Sequence, residues 1–269
     1  MLTTISQTKQ MTAVSTSPSI VNTYTPITLQ EMADVELLNR TDTKFVMRTS
    51  TLWAALCQLQ NRYRVLDVDG VRLNQYQTLY FDTADFSLYH QHHAGASDRY
   101  KVRSRVYIDS DRAFFEVKHK TNKKRTIKQR MQTAQMQTKV NRDTAVFLHH
   151  TYPYEAAELL PKLWNRFTRI TLVSNHRPER LTLDFDLAFA WGDQVAALPG
   201  IAIAEVKQEG FSLDSDFICQ MRALGIRQSS FSKYCLGAST LYPQLKQNNF
   251  KQHQLMLQKL MQGESHAYH

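Results

Sequence analysis

The sequence predicts an α+β protein built on an antiparallel β-barrel of about eight strands that forms a tunnel, with helices flanking it. Three observations lead there. Candidate strands come in runs instead of alternating strictly with helices, which favours an antiparallel sheet over a doubly wound one. Apolar and charged residues alternate along those strands at period two, so each strand has one dry and one charged face. Cations dominate several of the charged faces, in a chain whose formal net charge is +9.

The 269 residues, 42% of them hydrophobic, suffice for one large domain with a real core. The basic balance points to a polyanionic partner: nucleic acid, a membrane surface or a phosphorylated molecule. Cys57, Cys219 and Cys235 are widely spaced. That spacing argues against a disulfide framework or thiolate zinc site and suits a reducing, cytoplasmic setting. The first residues lack the apolar core of a signal peptide. No apolar run is long enough to span a bilayer, so no transmembrane segment is expected, and a membrane partner is left open.

The elements follow in order. Residues 1–26 are polar and rich in Thr and Ser, and read as disordered or loosely attached. Residues 28–38 space Leu29, Met32, Val35, Leu37 and Leu38 as a helix would. Residues 39–47 read as a strand. Residues 50–63 read as a helix capped by Ser50 or Thr51, with Trp53, Leu56, Cys57 and Leu59 on its core side. Strands are expected at 63–68, 74–82, 99–108, 112–120 and 124–133. Asp82 is placed to cap a short helix. His90, His92 and His93 read as a solvated helix end or loop. A helix at 141–151 ends on His149 and His150, which suit its C-terminal dipole. Strands follow near 162–175, 179–190 and 200–207. A helix at 214–225 is capped by Asp214 or Ser215 and stopped by Gly225, and another begins near Ser232. The tunnel domain is expected over 27–243. The Gln-rich tail, 244–269, carries Leu255, Leu257, Leu260 and Met261 at helical spacing.

The charged faces carry the functional argument. Lys101, Arg103 and Arg105 alternate on one strand; Glu116, Lys118 and Lys120 on the next; Lys128 and Arg130 on a third. Arg40, Asp42 and Lys44 do so near the start, and Asp184 with Asp186, then Glu205 with Lys207, near the end. Two like charges about 7 Å apart repel by ~2 kcal/mol at an effective dielectric near 20. Several such strands side by side are costly without an anion. A barrel with its dry face outward would aim these cations at one axis and hold an elongated polyanion. Glu116 and Glu205 would then suit a divalent cation between carboxylate and phosphate oxygens.

The segments "NRTDTKFVM", "TLYFDTADFSLY", "RYKVRSRVY", "FFEVKHK", "RLTLDFDL", "AEVKQ" and "SFSKYCLG" occur in that order. As a set they resemble the polyphosphate polymerase domain of the vacuolar transporter chaperone (VTC) family, one of the triphosphate tunnel metalloenzymes. The resemblance covers roughly residues 28–242. It implies an antiparallel tunnel in which the terminal phosphate of ATP, or of another triphosphate, is added to inorganic polyphosphate. The implied cofactor is a divalent metal, Mn2+ favoured and Mg2+ the alternative.

By matching position, the resemblance makes Arg103, Arg105 and Lys118 the catalytic set. Lys44, Lys128, Arg130, Arg169 and Lys233 become phosphate ligands, and Glu205 with Glu116 the metal ligands. Where the hydrolytic branch of the superfamily usually opens on E-x-E-x-K, this chain has Arg40-Thr41-Asp42-Thr43-Lys44, which favours the VTC branch. Two alternatives share the tunnel: a non-catalytic binder of polyphosphate or inorganic phosphate, and a triphosphatase. Nucleic-acid binding, with Tyr76, Tyr80, Tyr100 and Tyr107 stacking on bases, ranks lower because the cations share faces with Glu116 and Glu205.

Overall fold

The computed structural model describes residues 19–33, 40–123, 125–210 and 212–262. α1 (Ser19–Asn22), β1 (Pro26–Ile27) and α2 (Leu29–Ala33) precede β2 (Arg40–Arg48), α3 (Thr49–Leu59) and β3 (Tyr63–Leu66). Then come β4 (Asn74–Asp82), α4 (Ser87–His93), β5 (Arg99–Tyr107), β6 (Arg112–Lys120) and β7 (Thr126–Thr133). α5 (Arg142–Thr151) leads to β8 (Leu160–Ser174), β9 (Glu179–Trp191), β10 (Gln194–Leu198) and β11 (Ile201–Glu209). α6 (Asp216–Ala223), α7 (Lys233–Leu241) and α8 (Lys251–Gln262) complete the order.

All eleven strands belong to one sheet, and eight of them form a continuous path, β2–β11–β9–β8–β4–β5–β6–β7. Every neighbouring pair on that path is antiparallel. Among the described residues β2 and β7 do not pair, so the ladder is open along one seam. The sheet curls far enough for its two ends to face one space. Asp42, Thr43 and Lys44 of β2 line the same cavity as Lys118, Lys120 and Thr126 of β6 and β7. At the seam the free edge of β2 is met by a bridge from Phe45 to Gln228 and by the Ser229 N–H, which donates to the Lys44 carbonyl at 2.8 Å.

The dry face of the curl points outward, under the helices. Phe45, Leu181, Ile170 and Val206 pack with Leu52 and Leu56 of α3 and with Phe217 and Met221 of α6. Leu79, Val102, Phe115 and Val117 pack with Leu88 of α4 and Leu148 of α5. The first of these clusters also takes in Val21 and Tyr24, both almost fully buried, and the Tyr24 hydroxyl donates to the Leu56 carbonyl at 2.6 Å. The chain before residue 26 is therefore not loosely attached throughout, because two large side chains gain more from burial than the backbone loses in freedom. Residues 1–18 lie outside the described residues, as do residues 34–38 of the expected helix at 28–38.

The inner face is charged over only part of its length. Two residues beyond Lys44, Glu205 and Arg169 on the same strand faces stand Val46, Ile203 and Phe167, which pack with Phe231, Tyr234, Ala238 and Leu241 in and beside α7. That helix fills one half of the interior. At Gly237 a Cβ would fall 2.5 Å from Phe189 Cδ1 and 2.7 Å from Leu163 Cδ2, so only glycine lets α7 lie this close. The Tyr234 hydroxyl donates to Asp82, which also accepts from the Thr83, Leu88 and Tyr89 N–H groups. Asp82 thus holds the start of α4 and the plugging helix together.

Three local expectations are corrected. The N-cap of α3 is Arg48, with no side-chain cap bond, and Ser50 and Thr51 lie inside the first turn. Cys57 is exposed, not core. β10, a hairpin partner of β9, was not anticipated.

Candidate functional site: a cation-lined tunnel

Register decides which charges meet. On β5 and β6, Lys101 stands opposite Lys118 and Arg103 opposite Glu116. On β6 and β7, Lys118 stands opposite Lys128 and Glu116 opposite Arg130. Lys44 on β2 faces Glu205 on β11, and Arg169 on β8 faces Asp184 on β9. Lys233 enters from the first position of α7.

Three carboxylates are each held by two cations. Glu116 accepts from Arg103 Nε at 2.6 Å, and its other oxygen lies 2.5 Å from Lys128 Nζ. Asp184 accepts a two-pronged bond from Arg169, 2.5 Å from Nε and 2.7 Å from Nη2, and a further bond from Lys233. Glu205 lies 2.6 Å from Lys207 Nζ and 3.4 Å from Lys44 Nζ. Burial opposes the ionisation of each acid, but the paired cations outweigh it and hold all three well below the usual carboxylate range. Lys207, not among the expected ligands, also donates to Thr182 Oγ1 at 2.8 Å. Its alternation with Glu205 was the signal that could have found it.

Other cations lack such partners. Arg105 is 5% exposed, donates to Thr78 Oγ1 at 3.0 Å and makes no ion pair among the described residues. Burial, with Arg103 next to it, lowers its pKa. Lys101 donates to Ser232 Oγ at 3.1 Å. Lys118 makes no hydrogen bond or ion pair among the described residues. Burial and neighbouring cations push both lysines down to about 8. Lys128 is likewise lowered to about 8 by burial, against the pull of Glu116. Arg130 stands apart from the other expected ligands. It is exposed, and its guanidinium lies over the Phe114 ring, 4.8 Å from the centroid.

An aromatic shelf supports the cations. Tyr76 and Phe167 stack at 5.1 Å and 5°. Arg105 and Arg169 lie over both rings, 5.1–5.6 Å from the centroids, and Lys233 Nζ lies 4.7 Å from the Phe167 centroid. Three cations from β5, β8 and α7 thus share two stacked faces, which offer negative potential without a formal charge.

Beside these pairs opens a cavity of about 610 Å3, lined by Lys44, Lys101, Lys118 and Lys120 and by Ser229, Ser230 and Ser232. His92 also lines it. The His92 Nε2 lies 3.1 Å from the Tyr100 carbonyl, and burial drives the imidazole down to about 2. It is a neutral, packed residue, not the solvated one expected.

No group of three or more His, Cys, Asp or Glu that could hold a metal occurs among the described residues. The two expected ligands differ. Glu116 is 1% exposed and both its oxygens are closely engaged. Its position suits a counter-ion, not a metal ligand. Glu205 is 19% exposed; Lys207 holds one of its oxygens at 2.6 Å, while the contact of the other to Lys44 is loose at 3.4 Å. One partly exposed carboxylate oxygen, completed by phosphate oxygens, fits Mg2+ or Mn2+, which commonly bind through one or two carboxylates.

The curl, the plugged half and the excess of cations over carboxylates define an antiparallel β-tunnel with an anion-receiving interior. The chain belongs to the VTC domain family, whose model matches residues 39–242. No curated protein matches it. Among solved structures, a candidate adenylate cyclase from Vibrio parahaemolyticus is 14% identical, with a TM-score of 0.45, over 76% of this chain and 100% of that one. A candidate adenylyl cyclase from Hippeastrum, described as having a dominant triphosphatase activity, is 13% identical, with a TM-score of 0.45, over 74% and 96%. A candidate adenylate cyclase from Bacillus halodurans is 15% identical, with a TM-score of 0.43, over 72% and 94%. No helix among the described residues is long and apolar enough to cross a membrane.

Proposed function

We propose that the tunnel binds a triphosphate, and that the protein is a metal-dependent polyphosphate polymerase with ATP as phosphate donor. The observation that carries this is Arg105: a guanidinium 5% exposed on the lining face that makes no ion pair among the described residues, the nearby Glu116 being held by Arg103 and Lys128. A buried cation is stable only when something compensates it. Together with Lys101 and Lys118 it makes a lining that calls for an anion from outside.

In this reading Arg103, Arg105 and Lys118 grip the transferring phosphoryl group. Lys44, Lys128, Arg169 and Lys233 bind the rest of the triphosphate or the acceptor chain. An oxygen of the terminal phosphate of polyphosphate attacks the γ-phosphorus of ATP. The bond to the β,γ-bridging oxygen breaks, and ADP leaves. The attacking oxygen is already ionised, so the protein needs no general base; its task is alignment and charge neutralisation. A divalent metal, which Glu205 would hold, supplies further charge neutralisation at phosphate oxygens when bound.

Purified protein with ATP and Mn2+ should make polyphosphate visible on a gel, and Arg105→Ala should abolish it. No product from the wild type would sink the polymerase reading. Release of orthophosphate without polymer would favour a triphosphatase, for which the solvent-open cavity supplies water as acceptor. Polyphosphate binding with no turnover would leave a binder.

A further inference from the structure

Glu116 is the last acidic residue before Asp143, and the 26 residues between them carry nine Lys and Arg. The middle of this acid-free run is the hairpin joining β6 to β7. It is closed by the Thr121 N–H donating to the Arg125 carbonyl at 2.8 Å. Lys123 and Arg125 at its turn are exposed, as is β7 from Thr126 to Arg130. Neither Lys123 nor Arg125 makes an ion pair among the described residues. The feet of the hairpin, Lys118, Lys120 and Thr126, line the cavity that leads to the tunnel cations.

A run of solvated charge is an ordinary surface in isolation. Here it begins inside the cavity and continues outward to Lys123 and Arg125; Glu116 touches it at Lys128 and Asp98 at His119, both short of that turn. Its length also exceeds what a triphosphate could touch: each residue of an extended strand advances about 3.3 Å. We propose that the β6–β7 hairpin is an external track for a phosphate chain, holding the stretch of polyphosphate that lies outside the tunnel. The inference rests on the tunnel being a phosphate site, and it assigns Lys123 and Arg125 to long chains alone. Nucleic acid is the competing polyanion. A linear phosphate chain is favoured because the track is continuous with a cavity edged by lysine and serine, and its exposed stretch carries no aromatic on which bases would stack.

The test uses the full chain and a Lys123→Gln/Arg125→Gln double variant. Affinities for tripolyphosphate, long-chain polyphosphate and single-stranded RNA are measured over a range of salt. The expected result is unchanged tripolyphosphate affinity, a loss of roughly fivefold or more for the long chain, and a shallower salt dependence for it, since fewer counterions are released. Unchanged long-chain affinity overturns the inference. So does an equal loss for both phosphate ligands, or a loss confined to RNA. Wild-type protein that binds no phosphate ligand overturns the tunnel reading itself, a different failure from the first three.

Discussion

Lys101 and Lys118 stand directly opposite one another across β5 and β6, and neither makes an ion pair among the described residues. Burial, then neighbouring cations, lowers both to about 8. An unfolded lysine titrates near ~10.4. Between about pH 8 and pH 10 the unfolded chain therefore binds more protons than the folded one, and ligand-free stability rises with pH in that window. Above it the buried phenols of Tyr63 and Tyr234, raised by burial, act the other way. Phosphate binding has the opposite slope, because it needs the ammonium forms. Its affinity should fall above about pH 8, and binding there should take up protons. Calorimetry with tripolyphosphate in buffers of different ionisation enthalpy measures the uptake; none at about pH 8.5 would refute the linkage.

Arg105→Met should separate stability from function. The substitution removes a desolvated charge whose one hydrogen-bond partner among the described residues is Thr78. The ligand-free protein should gain on the order of 1 kcal/mol, read as a higher Tm, while phosphate binding and turnover collapse. A lower Tm would mean that Arg105 is compensated in the empty tunnel after all.

Asp184→Ala should do the reverse. It strips the partner from both Arg169 and Lys233, leaving two cations facing each other in the lining. The expected cost is about 3 kcal/mol or more. Tripolyphosphate should recover much of the lost Tm by occupying the vacated place. Absence of such rescue would show that the ligand does not reach Arg169.

Phe167→Leu keeps an apolar side chain but deletes the ring shared by Arg105, Arg169 and Lys233. Cation–π contacts are worth ~0.5–2 kcal/mol each. A tenfold or greater loss of tripolyphosphate affinity is expected, with KM rising and the circular dichroism spectrum unchanged. Phe167→Tyr, which keeps the ring, should restore binding.

Gly237→Ala tests whether the plugging helix sets the site. The added methyl meets Phe189 and Leu163, and relief of the clash moves α7, whose first residue is Lys233. A loss of ~1–3 kcal/mol should be accompanied by weaker phosphate binding. Destabilisation with untouched affinity would uncouple the two.

Much of the fold could be read from period two alone. The strands at 74–82 and 112–120 fall on the residues expected, because their aromatic and β-branched residues are bounded by turn signals at both ends. β10 escaped because QVAAL is short and alanine-rich, with little to distinguish strand from loop. The site was legible as a list of inward cations, since parity fixes the face. It was not legible as a set of partnerships. Nothing in "FFEVKHK" says that Glu116 will be enclosed by Arg103 and Lys128 while Lys118, two residues on, stays unpaired. That outcome depends on which strands end up adjacent. The half-apolar interior was hidden for a similar reason: Val46 and Ile203 share a face with Lys44 and Glu205, and only the return of α7 shows what they pack against.

Among the described residues β2 and β7 do not pair with each other, which bears on how a polymer of the proposed kind would enter. A ring sealed by hydrogen bonds all the way round must be threaded, so it accepts a chain only by its end. A slit ring is not bound by that topology. Parting its edges breaks no ladder, and what spans the gap near β2 is the Gln228–Ser229 segment instead of a full strand. If its ligand is the polymer proposed above, the protein is thus built less like a bead than like a clasp, and a clasp can close on the middle of a thread.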